Sequence, residues 1–404
     1  MRARTEGKHF GEPLVWLAAV IWLWAGQTAW AQGPAASTEA RGRTGSLGSL
    51  GLKAGAEIPP EKIQELYRKI LSDWSAGQTD QAPDELIELE TAVAVDTDSR
   101  THKILLKEEQ AVIHQVGAAD IEALVPIAVL HHEAYRRLLE RHVRGHALAM
   151  VHTRNMAKDL ALLYSEQSGS EGAKLVASRL LTSLGGLLLQ SAQQLPAAEM
   201  FQKGIELDGR NIAALLALST VYEKNAQAET AVKLLRQALE IEPANAEARL
   251  RLALNLKRLD QDAEARKLLA GLMADKEPSW VTPLAYQELA RLEGDRKKGA
   301  AEAEKVLRQG IERFPDDLRL RIQLAAALDR RGAPGEATAL IEKALATSTP
   351  REAGASRYLY NAVRADEFAL TRTFLDENSK SRLQVLAQAL SAPPAETAGT
   401  GVAP

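Results

Sequence analysis

The chain of 404 residues has no cysteine. Disulfides, a cysteine nucleophile and the lipid-modified cysteine of an anchored bacterial precursor are excluded, so an exported form must hold its core by packing alone. There is no surplus of positive charge either: 50 lysines and arginines face 53 acidic residues, a formal net charge of −3. Nucleic-acid binding usually needs a basic footprint, and this balance argues against it. Catalytic signatures are also missing. The chain has no Gly-x-Ser-x-Gly elbow, no glycine loop followed by Lys-Ser/Thr, and no dinucleotide fingerprint. After the first 31 residues, no apolar run reads as long enough to cross a bilayer.

What the chain does have is an alanine on a fixed beat. Ala197, Ala231, Ala265, Ala303 and Ala337 are spaced by 34, 34, 38 and 34 residues. Other positions keep the same beat. Small residues precede them at Gly185, Ser219, Ala253, Ala290 and Ala325, each directly after a leucine. Large apolar residues follow at Phe201, Leu235, Leu269, Leu307 and Ile341, then Gly204, Ala238, Leu272, Gly310 and Ala344. Two short antiparallel helices approach closely only where side chains are small, and large neighbours fill the flanking holes. Neither helix buries its stripe alone, so each pair must stack on the next. Pro243 and Pro315 punctuate the repeat ends, with Pro278 and Pro350 one place late and Gly209 substituting once.

This pattern resembles the tetratricopeptide repeat family. The copy from Ile212 to Pro243 carries Leu218, Tyr222, Ala231, Leu235, Ala238 and Pro243 on the family's marks, and five copies cover about Ser178 to Pro350. The copy around Ala303 fits least, with Glu293 where tyrosine is usual. The resemblance implies an all-α fold: a solenoid of helix pairs wound as a right-handed superhelix that binds proteins or peptides, without a cofactor.

The flanks read differently. Arg2, Arg4 and Lys8 precede an apolar run from Leu14 to Gly26 and the triplet Ala29-Trp30-Ala31. That order describes a secretory signal peptide over residues 1–31, cut between Ala31 and Gln32. An uncleaved anchor is the alternative, since Pro13 to Ala31 would just span a bilayer. Residues 32–57 and 392–404 are poor in large apolar groups and read as flexible linker and tail. Residues 58–177 read as an irregular helical region, with helices from Pro60 and around Glu85–Val95, Lys103–Val116, Asp120–His142 and Ala147–Ser165. Pro126 either kinks the Asp120 helix or starts it. Residues 351–391 read as helices capping the last repeat, among them Ser356–Arg364 with Tyr358-Leu359-Tyr360, and Ser381–Leu390.

Seven of the eight histidines lie between His102 and His152. His142 and His146 would share a helical face if the helix ran through Gly145, but His131-His132-Glu133 fails the His-Glu-x-x-His pattern of metalloproteases. His132 falls in the stripe Leu124, Val125, Ala128, Tyr135, Leu139, as a helix-packing histidine would. The expectation is therefore no metal and no catalytic residue. A metal-dependent or other enzymatic activity in residues 58–177, with the repeats recruiting its substrate, is the alternative.

The resemblance also implies where a partner would bind, because the first helix of each repeat lines the concave face in that family. The marks fall here on Thr182 and Leu189; on Leu216, Thr220 and Lys224; on Leu250, Leu254, Lys257 and Arg258; and on Ile322 and Arg330. That surface would offer an aliphatic floor (Leu216, Leu250, Leu254, Ile322) beside basic groups, suited to an extended peptide or helix with apolar anchors and some acidic character. Leu250 and Leu254 could instead touch the chain's own capping helices. The lysine and asparagine with which some relatives clamp a C-terminal carboxylate are replaced here by aliphatic, Thr, Ala or Gly residues. Neither the partner nor the oligomeric state follows from the sequence.

Overall fold

Helices start where a side chain satisfies the free amide protons of the first turn. Asn211 and Asn245 stand one repeat apart, and their side-chain oxygens accept from the N–H of Ala214 and Ala248 at 3.0 and 2.9 Å. Ser170 and Asp317 do the same for Ala173 and Leu320. The computed structural model describes residues 50–53, 57–93, 100–141, 147–296, 299–331 and 385–390, with a few positions from 333 to 340. Among the described residues there is no strand.

The repeats supply first helices α6 (Glu171–Gln190), α8 (Ile212–Lys224), α10 (Ala246–Arg258), α12 (Thr282–Gly294) and α14 (Leu318–Arg330). Second helices are α7 (Gln194–Leu207), α9 (Ala228–Ile241), α11 (Asp262–Ala274) and α13 (Ala300–Arg313). Each helix packs on the one before and the one after, so this part of the chain is a solenoid of helix pairs. First helices also touch across repeats, α6 with α8, α10 with α12 and α12 with α14, whereas no two second helices meet comparably among the described residues. The first-helix layer is therefore the tighter one.

All five alanines of the beat are buried, as are the small residues that precede them and Phe201, Leu235, Leu269 and Leu307. The reason for the small residues is visible at Gly185: a Cβ there would lie 2.7 Å from the Phe201 ring. The turn between paired helices keeps the beat as well. Gln193, Gln227 and Gln261 each donate their N–H back to Leu188, Tyr222 and Leu256 at 2.9 Å. The residue before each glutamine, Ala192, Ala226 or Asp260, sits at φ 61°, 56° or 58°. This is the left-handed helix stop that glycine usually occupies.

Ahead of the repeats lie α1 (Pro60–Ser75), α2 (Ala82–Val93), α3 (Arg100–Ala119), a 3-10 turn (Ile121–Ala123), α4 (Leu124–Arg141) and α5 (Ala147–Ser168). The expected Asp120–His142 helix is split, because Asp120 caps the 3-10 turn by accepting from Glu122 N–H. Pro126 then falls in the first turn of α4, where its missing N–H is harmless. Its carbonyl accepts from Trp74 Nε1 at 2.8 Å.

Three expectations are corrected. Leu50 and Leu52, inside the stretch read as linker, are part-buried, and their N–H groups donate to the buried Glu88 carboxylate at 3.1 and 2.6 Å. Helix α6 begins seven residues before the first repeat mark and is long and apolar enough to cross a membrane, yet 67% of that window is buried in protein. Its apolar character comes from packing against both the irregular region and the repeats. Leu386 and Ala389 are buried in the core shared with α1–α8, not in that of the later repeats. The signal segment, His142, His146 and Ser356–Arg364 lie outside the described residues.

Candidate functional site

The marks on the first helices separate into two sets. Thr182, Leu216, Thr220 and Leu250 are buried, at 0, 4, 7 and 4% exposure. Thr182 Oγ1 donates to Ser178 O at 2.8 Å and accepts from Asn211 Nδ2 at 2.9 Å, while Thr220 donates to Leu216 O at 3.0 Å. Leu216 and Leu250 belong to the core joining the later repeats. This corrects the expected aliphatic floor, since a first helix is packed both by its own partner and by the next repeat. The second set faces solvent: Lys224 and Arg258 are exposed, and Leu189, Leu254, Lys257 and Ile322 are half-buried. The Arg330 side chain lies outside the described residues.

Two hollows open beside α10. The first, about 520 Å³, is lined by Leu254, Lys257 and Arg258 from α10 and by Glu288 and Arg291 from α12. The second, about 570 Å³, is lined by Glu223, Ala226, Ala228, Glu229, Arg258 and Leu259. Arg258 stands on the wall of both. Lys257 Nζ is 3.4 Å from Asp295, and Arg291 donates to Glu288 at 3.0 Å. Arg258 is steadied by the neutral Asn255 at 3.2 Å, and among the described residues no carboxylate pairs with it. It is the cation of this face best placed to accept an acidic group.

The hollows rest on a polar lock that the repeat marks do not announce. Arg251, 6% exposed, donates to Leu216 O at 2.9 Å and Ser219 Oγ at 2.6 Å, and meets the Glu223 carboxylate at 3.0 Å. Asn255 Nδ2 donates to the same carboxylate at 2.8 Å. Helices α8 and α10 are thereby fixed beneath the exposed groups. The one sequence signal is an arginine between Leu250 and Leu252, where an apolar stripe would continue.

Three of the histidines meet inside the irregular region, with the His152 ring 5.3 Å from that of His102 and 6.3 Å from that of His131. His131 and His132 are buried in α4 and His152 in α5. Burial pushes His132 down to about 4. Burial, and then the neighbouring His152, hold His131 well below its usual range. Burial alone would lower His152 as well, but the Glu109 and Glu90 carboxylates carry it up to about 9. Those two carboxylates, on α3 and α2, were not singled out by the sequence.

A model of the tetratricopeptide repeat family matches residues 224–280, the stretch that contains α9–α11 and both hollows' α10 wall. No curated protein matches the chain. Among solved structures it is similar to a tetratricopeptide repeat protein from Parabacteroides merdae at 19% identity, covering 64% of this chain and all of that one, TM-score 0.39. MamA from Desulfovibrio magneticus RS-1 is similar at 14% identity over 42% of this chain and 93% of that one, TM-score 0.36. YrrB, described as a repeat protein with an unusual peptide-binding site, is similar at 17% identity over 41% and 84%, TM-score 0.33.

Proposed function

As the chain is a tetratricopeptide repeat protein, we propose that it is an exported interaction scaffold that captures a peptide or protein segment across the first-helix face of α8, α10 and α12. Proteins of this repeat class bind other proteins. The observation that carries the reading is Arg258, exposed, without a carboxylate partner and shared by both hollows, beside the half-buried Leu254. An acidic side chain would meet Arg258, and an apolar anchor would cover Leu254. Export rests on the basic head, apolar run and Ala-Trp-Ala exit of the first 31 residues, and the site of action is then an envelope complex. N-terminal sequencing of the mature protein tests this part, with a start at Gln32 expected.

The test of capture places a photo-crosslinking residue at Arg291, in cells carrying Leu254 and Arg258 or Leu254→Glu/Arg258→Glu. A crosslinked partner is expected only with the native pair, and its purified segment should lose at least about tenfold in affinity for the double variant. Equal crosslinking and affinity in both would remove the face from consideration. Changes at Leu216 or Leu250 do not serve, because those side chains hold the core together.

A further inference from the structure

Three helices of the irregular region bring donor atoms together at one buried point, and a fourth places a histidine beside it. We propose that Glu90 (α2), Glu109 (α3) and His152 (α5) bind a divalent first-row transition-metal ion, of the zinc, iron or manganese type, and that His131 (α4), which stands against Glu90 outside that trio, is drawn in as the fourth ligand when the ion binds. Glu90, Glu109 and His131 are fully buried and His152 is 4% exposed. One donor atom from each of Glu90, Glu109 and His152 lies within 4.8 Å of the others. His152 Nε2 is 2.5 Å from Glu109 Oε2 and 3.9 Å from Glu90 Oε1, and His131 Nδ1 is 3.5 Å from Glu90 Oε1.

The second observation is what these atoms lack. Both Glu90 oxygens, Glu109 Oε1 and His131 Nδ1 are buried without a hydrogen-bond partner. Among the described residues, neither carboxylate is paired with a lysine or arginine, and without a metal the one proton of His152 is shared between both. A buried polar atom left unpaired costs about 1–3 kcal/mol, and a charged one more, so four in one place need an explanation. A dication supplies it. Two carboxylates and two neutral imidazoles around it sum to zero charge, which a dry interior tolerates.

Geometry and chemistry agree with that assignment. Zinc–nitrogen and zinc–oxygen bonds of about 2.0–2.2 Å set tetrahedral ligands roughly 3.3 Å apart, within the spread of the present distances. Mixed imidazole and carboxylate donors select transition metals over calcium or magnesium. Tyr67 Oη, 2.9 Å from His131 Nε2, is the outer partner. With the proton on Nε2 donating to Tyr67, the Nδ1 lone pair is left for the metal. Four ligands from four helices make a closed site, and its work is to tie α2, α3, α4 and α5 together ahead of the repeats. The proposal departs from the expectation of no metal, and it is independent of peptide capture.

The test uses the full mature chain, stripped with chelator and titrated with Zn2+ and Co2+. About one equivalent of Zn2+ should bind, the melting temperature should rise, and Co2+ should give the intense visible bands of four-coordination. Glu109→Gln/His152→Gln should abolish all three, Tyr67→Phe should weaken binding about 10–100-fold, and the exposed His114→Gln should change nothing. Less than about a tenth of an equivalent bound, or binding equal in the double variant and wild type, would overturn the proposal. If the double variant is unfolded by circular dichroism, the wild-type Co2+ spectrum and Tyr67→Phe decide. A weak six-coordinate spectrum insensitive to Tyr67 overturns it.

Discussion

Gly185→Ala separates helix propensity from repeat packing. Gly185 lies inside α6, where alanine is favoured over glycine by about 0.5–1 kcal/mol. Packing opposes that gain. The added Cβ would stand 2.7 and 2.8 Å from Cε1 and Cδ1 of Phe201, against a contact optimum of about 3.5–4.0 Å between carbons. Phe201 is fully buried and cannot swing outward, so the overlap costs about 1–3 kcal/mol. The net expectation is a loss of about 1–2 kcal/mol. Gly271, in α11, is the control, since its added Cβ meets nothing within 4 Å. Gly271→Ala should stabilise by about 0.5–1 kcal/mol.

Urea unfolding read by circular dichroism gives both values from the midpoint at constant m. Phe201→Leu removes the obstructing ring, so in a double-mutant cycle it should recover about 1 kcal/mol of the Gly185→Ala loss. The packing argument would be refuted if Gly185→Ala stabilised the chain as Gly271→Ala does, or if its effect simply added to that of Phe201→Leu.

Three further outcomes are expected. With chelator present, stability should fall toward both low and high pH. Neutral His132, at about 4, contributes stability above 6.5 that is lost as pH falls toward 4, whereas charged His152, at about 9, contributes below 6.5 and loses it as pH rises through 9. His132 and His152 each contribute at most about 3 kcal/mol, and His132→Asn and His152→Gln should make the acid and alkaline limbs shallower, the remainder belonging to His131 and Glu90, in unfolding midpoints taken across pH. Arg251→Ala should cost about 2–3 kcal/mol by stranding Glu223 and Ser219, with Arg251→Met recovering part of it; an unchanged midpoint would show that the lock contributes nothing. Ala226→Gly should stabilise by about 0.5–1 kcal/mol because φ 56° strains any Cβ, and a loss of stability would contradict that.

The repeat portion was legible in the sequence because a solenoid is nearly one-dimensional. Ala231 is buried on α9, which packs on α8 and α10, so packing rules act at short range and are written at a fixed spacing. The burial of Ala197, Ala231, Ala265, Ala303 and Ala337 follows from that spacing alone. The candidate face was legible in part. Lys224, Leu254, Lys257 and Arg258 reach the surface, whereas Leu216 and Leu250, at the same helical mark, turn into the seam. Periodicity places a residue on a helix face; it does not say which neighbouring helix covers that face.

Helix pairs, their order and their small–large packing were thus determined by the sequence, through contacts between near neighbours. Tertiary structure alone decided that Glu90, Glu109, His131 and His152 converge, since Glu90 and His152 come from helices far apart in the chain with no shared period. It alone seated Leu50 and Leu52 against Glu88. These arrangements depend on non-local packing, where burying apolar surface sets the positions of groups whose own chemistry would not have brought them together.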